Sequence, residues 1–283
     1  MNKRVLSLTL LLACLGLMTM QAEGRKVESF NSGWSFKKAP AEKELAINAP
    51  KWDKGWSEVE IPHTWNAKDM QVQANSFYEG AAYYKKQYFF PTELKDKRVF
   101  LRFEGVGSCA EVFVNGMLAT SHKGGYSAFA CEISPLLKAG EENEIIVKAD
   151  NKSRPDVIPV NHNLFGVYGG IYRPVWLVVT EPYNISVTDC ASPGVYITQK
   201  NVSKKQADVK VKVKLDNGTL QPAPVTLQNT IYDQEGKQVA THSQSFELSA
   251  QGEQAYESSF TIKKPTLWQG RENPYLYKVV SRL

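Results

Sequence analysis

Glu79, Glu104 and Glu111 are the carboxylates best placed by sequence context to attempt acid–base chemistry. Hydrolysis of a glycosidic bond needs two such groups, one protonated as acid and one ionised as nucleophile or base, about 5–5.5 Å or 6.5–9.5 Å apart. Position along the chain brings no two of them together, and Glu111 falls on the outward side of an alternating run. A serine nucleophile has no better support, because no Gly-x-Ser-x-Gly elbow occurs. No Cys-x-x-Cys or histidine-rich spacing suggests a metal, so no catalytic residue, metal or cofactor is expected from these residues alone.

Binding chemistry is better represented. Ile61-Pro62-His63-Thr64-Trp65-Asn66 puts a fixed proline, an imidazole and an indole in one loop. Rings in such loops stack on the apolar faces of sugars, and histidine or asparagine bonds hydroxyls. The competing reading has Trp65 plugging a core and His63 bonding backbone, the commoner arrangement for side chains with one wet end and one dry end. The polar and aromatic run from Gln71 to Gly80 leads into a strand and offers Asn75, Tyr78 and Glu79 as ligands, although an ordinary surface loop has the same composition. Gly169-Gly170-Ile171-Tyr172-Arg173 suits a sharp turn or close backbone approach. It lacks the spacing of a phosphate-cradling loop and opens no helix.

The elements that must hold these loops are strands. Short runs rich in Val, Ile, Phe and Tyr, bounded by Gly, Pro, Asn and Asp, recur throughout, and no long stretch has a helical period. Arg98 to Phe103 alternates sides, Ala110 to Val114 runs into the hairpin signal Asn115-Gly116, and Glu144 to Ala149 and Val175 to Val179 read as core strands. This pattern predicts an all-β sandwich. After Thr180-Glu181-Pro182-Tyr183 aromatic density falls and alternation becomes cleaner, with Val209 to Leu215 alternating apolar and basic residues. Strands over Val225–Tyr232, Ser243–Leu248 and Tyr275–Val280 complete an immunoglobulin-like reading that lacks a closing strand.

With 283 residues, two domains are expected, over residues 23–182 and 183–283. Hydrophobic residues make up 42% and charged residues 22%, which supports a buried core. A net charge of +5 spread along the chain, with no basic cluster or reading motif, argues against nucleic acid. Basic Met1–Arg4, the apolar run Val5–Met20 and small Ala22 read as a signal peptide over residues 1–22, implying export to a periplasmic or extracellular space. Lipoprotein anchoring at Cys14 is the less favoured alternative, because the apolar run continues beyond it. The remaining Cys109, Cys131 and Cys190 are too few and odd in number for a disulfide framework; Cys109 and Cys131 could pair if their strands were neighbours, but buried free thiols are the favoured reading.

Read in order, these segments resemble the N-terminal region of glycoside hydrolase family 2, the β-galactosidase, β-glucuronidase and β-mannosidase family. Asn31-Ser32-Gly33-Trp34-Ser35-Phe36, Pro62-His63-Thr64-Trp65, Phe103-Glu104-Gly105-Val106, Val114-Asn115-Gly116, Gly124-Gly125-Tyr126, Asp150-Asn151 and Gly169-Gly170-Ile171-Tyr172-Arg173 carry the likeness. Leu267-Trp268 and Asn273-Pro274-Tyr275-Leu276-Tyr277 extend it. The resemblance implies a jelly-roll, galactose-binding-like domain followed by an immunoglobulin-like one. In the family these precede an (α/β)8 barrel that holds the catalytic glutamates. The chain is then the non-catalytic front of a retaining exo-β-glycosidase, β-galactosidase-like, acting on a β-linked glycan. A homo-oligomer is compatible, and the alternative is a stand-alone carbohydrate-binding module. Many members carry an acidic residue just before Gly-Gly-Ile-Tyr-Arg; here Asn161 or Asn163 would have to replace it, and no metal site carries over.

Overall fold

β-branched and aromatic residues suit a pleated, half-buried surface, and the runs that contain them are strands in the computed structural model, which describes residues 24–39, 54–69, 77–160 and 166–283. The first ten are β1 (Lys26–Ser29), β2 (Trp34–Lys38), β3 (Ser57–Val59), β4 (Ala81–Phe89), β5 (Arg98–Phe103), β6 (Cys109–Val114), β7 (Met117–Lys123), β8 (Phe129–Glu132), β9 (Glu142–Asp150) and β10 (Val175–Thr180). They form a six-stranded sheet, β3-β2-β4-β9-β6-β7, and a four-stranded sheet, β1-β10-β5-β8. Neighbours such as β4 and β9, or β5 and β10, are remote in sequence, the winding of a jelly roll. Trp34, Tyr84, Leu101, Phe103, Ile145 and Val147 belong to one buried cluster drawn from both sheets.

The hairpin between β6 and β7 forms at the expected place, with Asn115 and Gly116 at φ 50° and 80°, both positive as a two-residue turn of this kind requires. β5 departs from simple alternation. Val99, Phe100 and Leu101 are all fully buried, because the outer face of the four-stranded sheet is covered by Val187, from the segment that enters the second sandwich.

That second sandwich comprises β11 (Tyr183–Ile185), β12 (Val195–Lys200), β13 (Gln206–Asn217), β14 (Ala223–Tyr232), β15 (Gln238–Leu248), β16 (Gly252–Lys263) and β17 (Lys278–Arg282). β13 is paired by β11 and β12 in succession on one side and by β16 on the other, while β15-β14-β17 makes the opposing sheet. The apolar side chains of β13 point into a core with Leu227, Ile231 and Leu248, as its period-two pattern requires. Tyr275 to Tyr277, read above as strand, is not one. Its aromatic rings fasten loops: the Tyr277 hydroxyl accepts from Thr266 N at 3.0 Å, and the Tyr275 hydroxyl donates to Glu235 at 3.0 Å.

The sandwiches are joined by a charged clamp. Arg98 donates to Glu132 through Nε at 3.1 Å and Nη2 at 2.6 Å, and through Nη1 to Asp216 of β13 at 2.9 Å. Beside it Arg102 Nε donates to Ala191 O at 2.8 Å. Cys109 lies in the six-stranded sheet and Cys131 in the four-stranded one, and both are free thiols; burial pushes the Cys131 thiol up to about 12.

Candidate functional site

The loops singled out by sequence meet at one end of the first sandwich. Ile61–Asn66 leaves β3 and crosses to the segment before β10, where His63 N donates to Ile171 O at 2.8 Å. Trp65 is buried, stacked on Phe36 with centroids 6.0 Å apart and edge-on to Tyr78 at 6.2 Å. It is the plug that the simpler reading describes. Gly169 lies against its ring so closely that a Cβ there would sit 1.9 Å from a ring carbon, and Gly170 adopts φ +116°; both glycines are therefore required by packing and backbone geometry.

Two fully buried asparagines tie the loops together. Asn66 Nδ2 donates to Asp69 Oδ2 at 2.7 Å and to Tyr78 O at 3.0 Å, while its Oδ1 accepts from Gly169 N at 2.8 Å. Asn151 Oδ1 accepts from Gly80 N at 2.9 Å, and its Nδ2 donates to Val167 O at 2.8 Å, to Tyr78 O at 3.2 Å and to Asn66 Oδ1 at 3.2 Å. Asp69 also accepts from Tyr78 N at 3.1 Å. Buried loop backbone must find partners away from water, and these side chains supply them. Segments 61–69, 77–80 and 166–171 become one platform.

Of the expected ligands, His63, Tyr78 and Glu79 lie on this platform, whereas Asn75 and Asn163 lie outside the described residues. The Tyr78 hydroxyl points inward and donates to Ala81 O at 2.9 Å; Glu79 is exposed. His63 is half-buried against Phe36, with Nδ1 2.8 Å from the Tyr84 hydroxyl, a side-chain partner in place of the backbone one expected. Burial, and then the nearby positive charge of Lys38, lowers the imidazole pKa below its ordinary 6.5. The unfolded chain therefore takes up this proton first, and the stability His63 contributes is intact above about pH 6.5 and lost as pH falls towards the folded value. Denaturant unfolding between pH 7 and pH 5 should show this loss, and His63→Gln should shallow it; an unchanged slope in the variant would remove His63 as its source.

Asn151, Asp69 and Tyr84 position these loops and were not among the expected ligands, whereas Asn66, read from sequence as able to bond sugar hydroxyls, is fully buried and bonds the loops instead. The only signal for Asn151 was its place in the Asp150-Asn151 motif. The three carboxylates do not converge into an acid–base pair. Glu104, just after β5, accepts from Trp176 Nε1 at 2.8 Å and Arg102 Nη1 at 3.1 Å, whereas Glu111, on β6 in the other sheet, pairs with Lys148 at 3.2 Å. Among the described residues no group of three or more His, Cys, Asp or Glu side chains could hold a metal ion. Among the described residues the platform is held together by side-chain-to-backbone hydrogen bonds.

Comparison with known proteins gives matches along both sandwiches. The family model described as glycosyl hydrolases family 2, sugar binding domain, matches residues 27–182, and that described as glycosyl hydrolases family 2 matches residues 193–283. A beta-glucuronidase of Bacteroides fragilis is 40% identical over 222 residues, which are 78% of this chain and 31% of the relative. A beta-galactosidase of Bacteroides ovatus is 29% identical over 92% of this chain and 30% of its own length. Among solved structures, a Bacteroides fragilis protein assigned as a beta-galactosidase superposes with TM-score 0.88 at 71% identity, covering 92% of this chain and 38% of that one. The chain thus spans roughly a third of the relatives it matches.

Proposed function

Because this chain belongs to glycosyl hydrolase family 2, we propose that it is the sugar-recognising and scaffolding part of a retaining exo-β-glycosidase, β-galactosidase-like, whose acid and nucleophile reside in an (α/β)8 barrel outside these two sandwiches. The observation that carries this reading is the loop platform centred on Asn66 and Asn151. Its loops are held from beneath by buried polar contacts. Such an arrangement recognises a sugar and leaves the bond-breaking step to another domain. The share of the relatives' length that this chain spans leaves ample room for that domain. The β-linked substrate is a galactoside if the 71%-identical Bacteroides fragilis structure is the guide, and a glucuronide if the 40%-identical Bacteroides fragilis relative is.

The test compares residues 23–283 with a polypeptide extended to include a barrel, on nitrophenyl β-galactoside and β-glucuronide, with sugar binding followed by calorimetry. Turnover is expected from the extended protein alone, and its preferred substrate names the sugar. Turnover by the two sandwiches alone overturns the proposal. Strong glycan binding by them, with no turnover from either protein, establishes the stand-alone binding module instead.

A further inference from the structure

The Tyr84 hydroxyl stands at the joint of the loop platform, against His63. Tyr84 is fully buried on β4, and its oxygen has three polar neighbours: His63 Nδ1 at 2.8 Å, His63 O at 3.4 Å and Ile171 N at 3.4 Å. Gly170 makes this approach possible, since a Cβ there would sit 2.5 Å from the hydroxyl and 2.6 Å from His63 O. His63 N in turn donates to Ile171 O, so imidazole, phenol and the 169–171 turn close one hydrogen-bonded circuit. Phe36, with its centroid 4.7 Å from that of the imidazole, fixes the plane of the ring.

A phenol has one proton to give, and here two acceptors compete for it. Burial raises the Tyr84 pKa, so the proton stays on the oxygen. Donation to Nδ1 has the distance of an ordinary hydrogen bond, whereas 3.4 Å to His63 O is long for an O–H donor. The reverse arrangement, Nδ1–H donating to the phenol, would leave the hydroxyl proton with that long contact alone, at a side chain buried from water. It would also ask the oxygen to accept from Nδ1 and from Ile171 N together. The neutral ring therefore accepts at Nδ1 and carries its own proton on Nε2.

We infer that Tyr84 is a positioning residue that fixes His63 as the Nε2–H tautomer, and that this N–H is a donor for an acceptor oxygen of the bound sugar. The donor role rests on the sugar-recognising reading given above; the tautomer rests on the Tyr84 contacts alone. A sugar hydroxyl or ring oxygen suits a neutral N–H, and a tautomer set in advance does not have to be selected when the sugar binds.

Imidazole nitrogen–proton correlation spectra of the histidine-labelled protein near neutral pH read the tautomer directly, the His63 signals being those lost in His63→Gln. Nδ1 should show the shift of an unprotonated, hydrogen-bonded nitrogen and Nε2 that of a protonated one. Tyr84→Phe should draw the two shifts together as the tautomers mix. Adding galactose or glucuronate should move the Nε2 signal, and Tyr84→Phe should weaken binding of that sugar by about three- to tenfold, the worth of one neutral hydrogen bond. In a His63→Gln background, whose amide N–H donates whatever Tyr84 does, Tyr84→Phe should cost no further affinity; a purely structural role would weaken binding in both backgrounds. A proton on Nδ1 in the unaltered protein overturns the inference whether or not sugar binds. Sugar binding that leaves Nε2 unmoved overturns the donor role while the recognition reading stands. Binding of neither sugar overturns that reading, and the donor role falls with it, whereas the spectra of the free protein decide the tautomer by themselves.

Discussion

Asn151→Ala is expected to lower the free energy of unfolding of the first sandwich by about 3–5 kcal/mol, since each buried polar group left without a partner costs about 1–3 kcal/mol. The substitution removes the acceptor for Gly80 N–H and the donor for Val167 O and Tyr78 O, in a place where the side chain is fully buried and water cannot substitute. Asn66 loses a partner in the same step, so Asn66→Ala in the Asn151→Ala background should cost less than it does alone. Asn151→Asp keeps the shape but turns a carboxylate oxygen towards the carbonyls of Val167 and Tyr78, and should be no milder. Urea unfolding of the single and double variants measures this. A loss below about 1 kcal/mol, the size of an ordinary substitution, would mean that the loops are held by other contacts.

Arg98→Ala should be comparably costly and should change the shape of unfolding as well as its midpoint. The guanidinium is 12% exposed and Asp216 14%, and removing one partner of a buried ion pair typically costs about 3–5 kcal/mol because the other charge is stranded. Glu132, on the opposite flank of the clamp, loses a two-pronged contact at the same time. The clamp spans both sandwiches, so its loss should uncouple them and resolve one calorimetric transition into two. Pairing Arg98→Ala with Asp216→Ala should restore part of the loss, because the double variant leaves one stranded carboxylate fewer. A single transition at an unchanged midpoint would show that the apolar contacts around Val187 and Phe100 join the domains by themselves.

How much of this was legible follows from the range over which each feature is encoded. The β13 strand and the Asn115-Gly116 turn were readable because neighbouring residues specify them. The double-sided burial of β5 was not, since the partner that covers its outer face lies over 80 residues later, around Val187. Tyr275 to Tyr277 imitates a strand because aromatic content serves equally for packing a sheet and for anchoring a loop through hydroxyls. For the candidate site, the loops that local composition marked lie together at one end of the first sandwich, and Trp65 behaved as the plug that elementary reasoning favours. The asparagines beneath them were invisible as a unit. Asn66 and Asn151 are 85 positions apart, and the amide of one can be matched to the carbonyl of the other only once β4 and β9 lie side by side. Long-range polar pairs leave no periodic trace in sequence, unlike the apolar faces on either side of them.

The pairing of β1 with β10, which sets Lys26 opposite Val179, bears on how this protein is made as well as on how it stands. At ribosomal rates of about 5–20 residues per second, roughly 8–30 seconds separate the synthesis of those two residues. β5 waits for the same partner, since its register with β10 runs from Arg98 opposite Thr180 to Phe103 opposite Val175. For that interval the nascent first domain carries an apolar sheet without its central strand, and with two edges able to pair with the wrong neighbour. A polypeptide ended anywhere before Val175 would keep that exposure permanently, so chaperone dependence and sensitivity to premature termination should concentrate in the first domain.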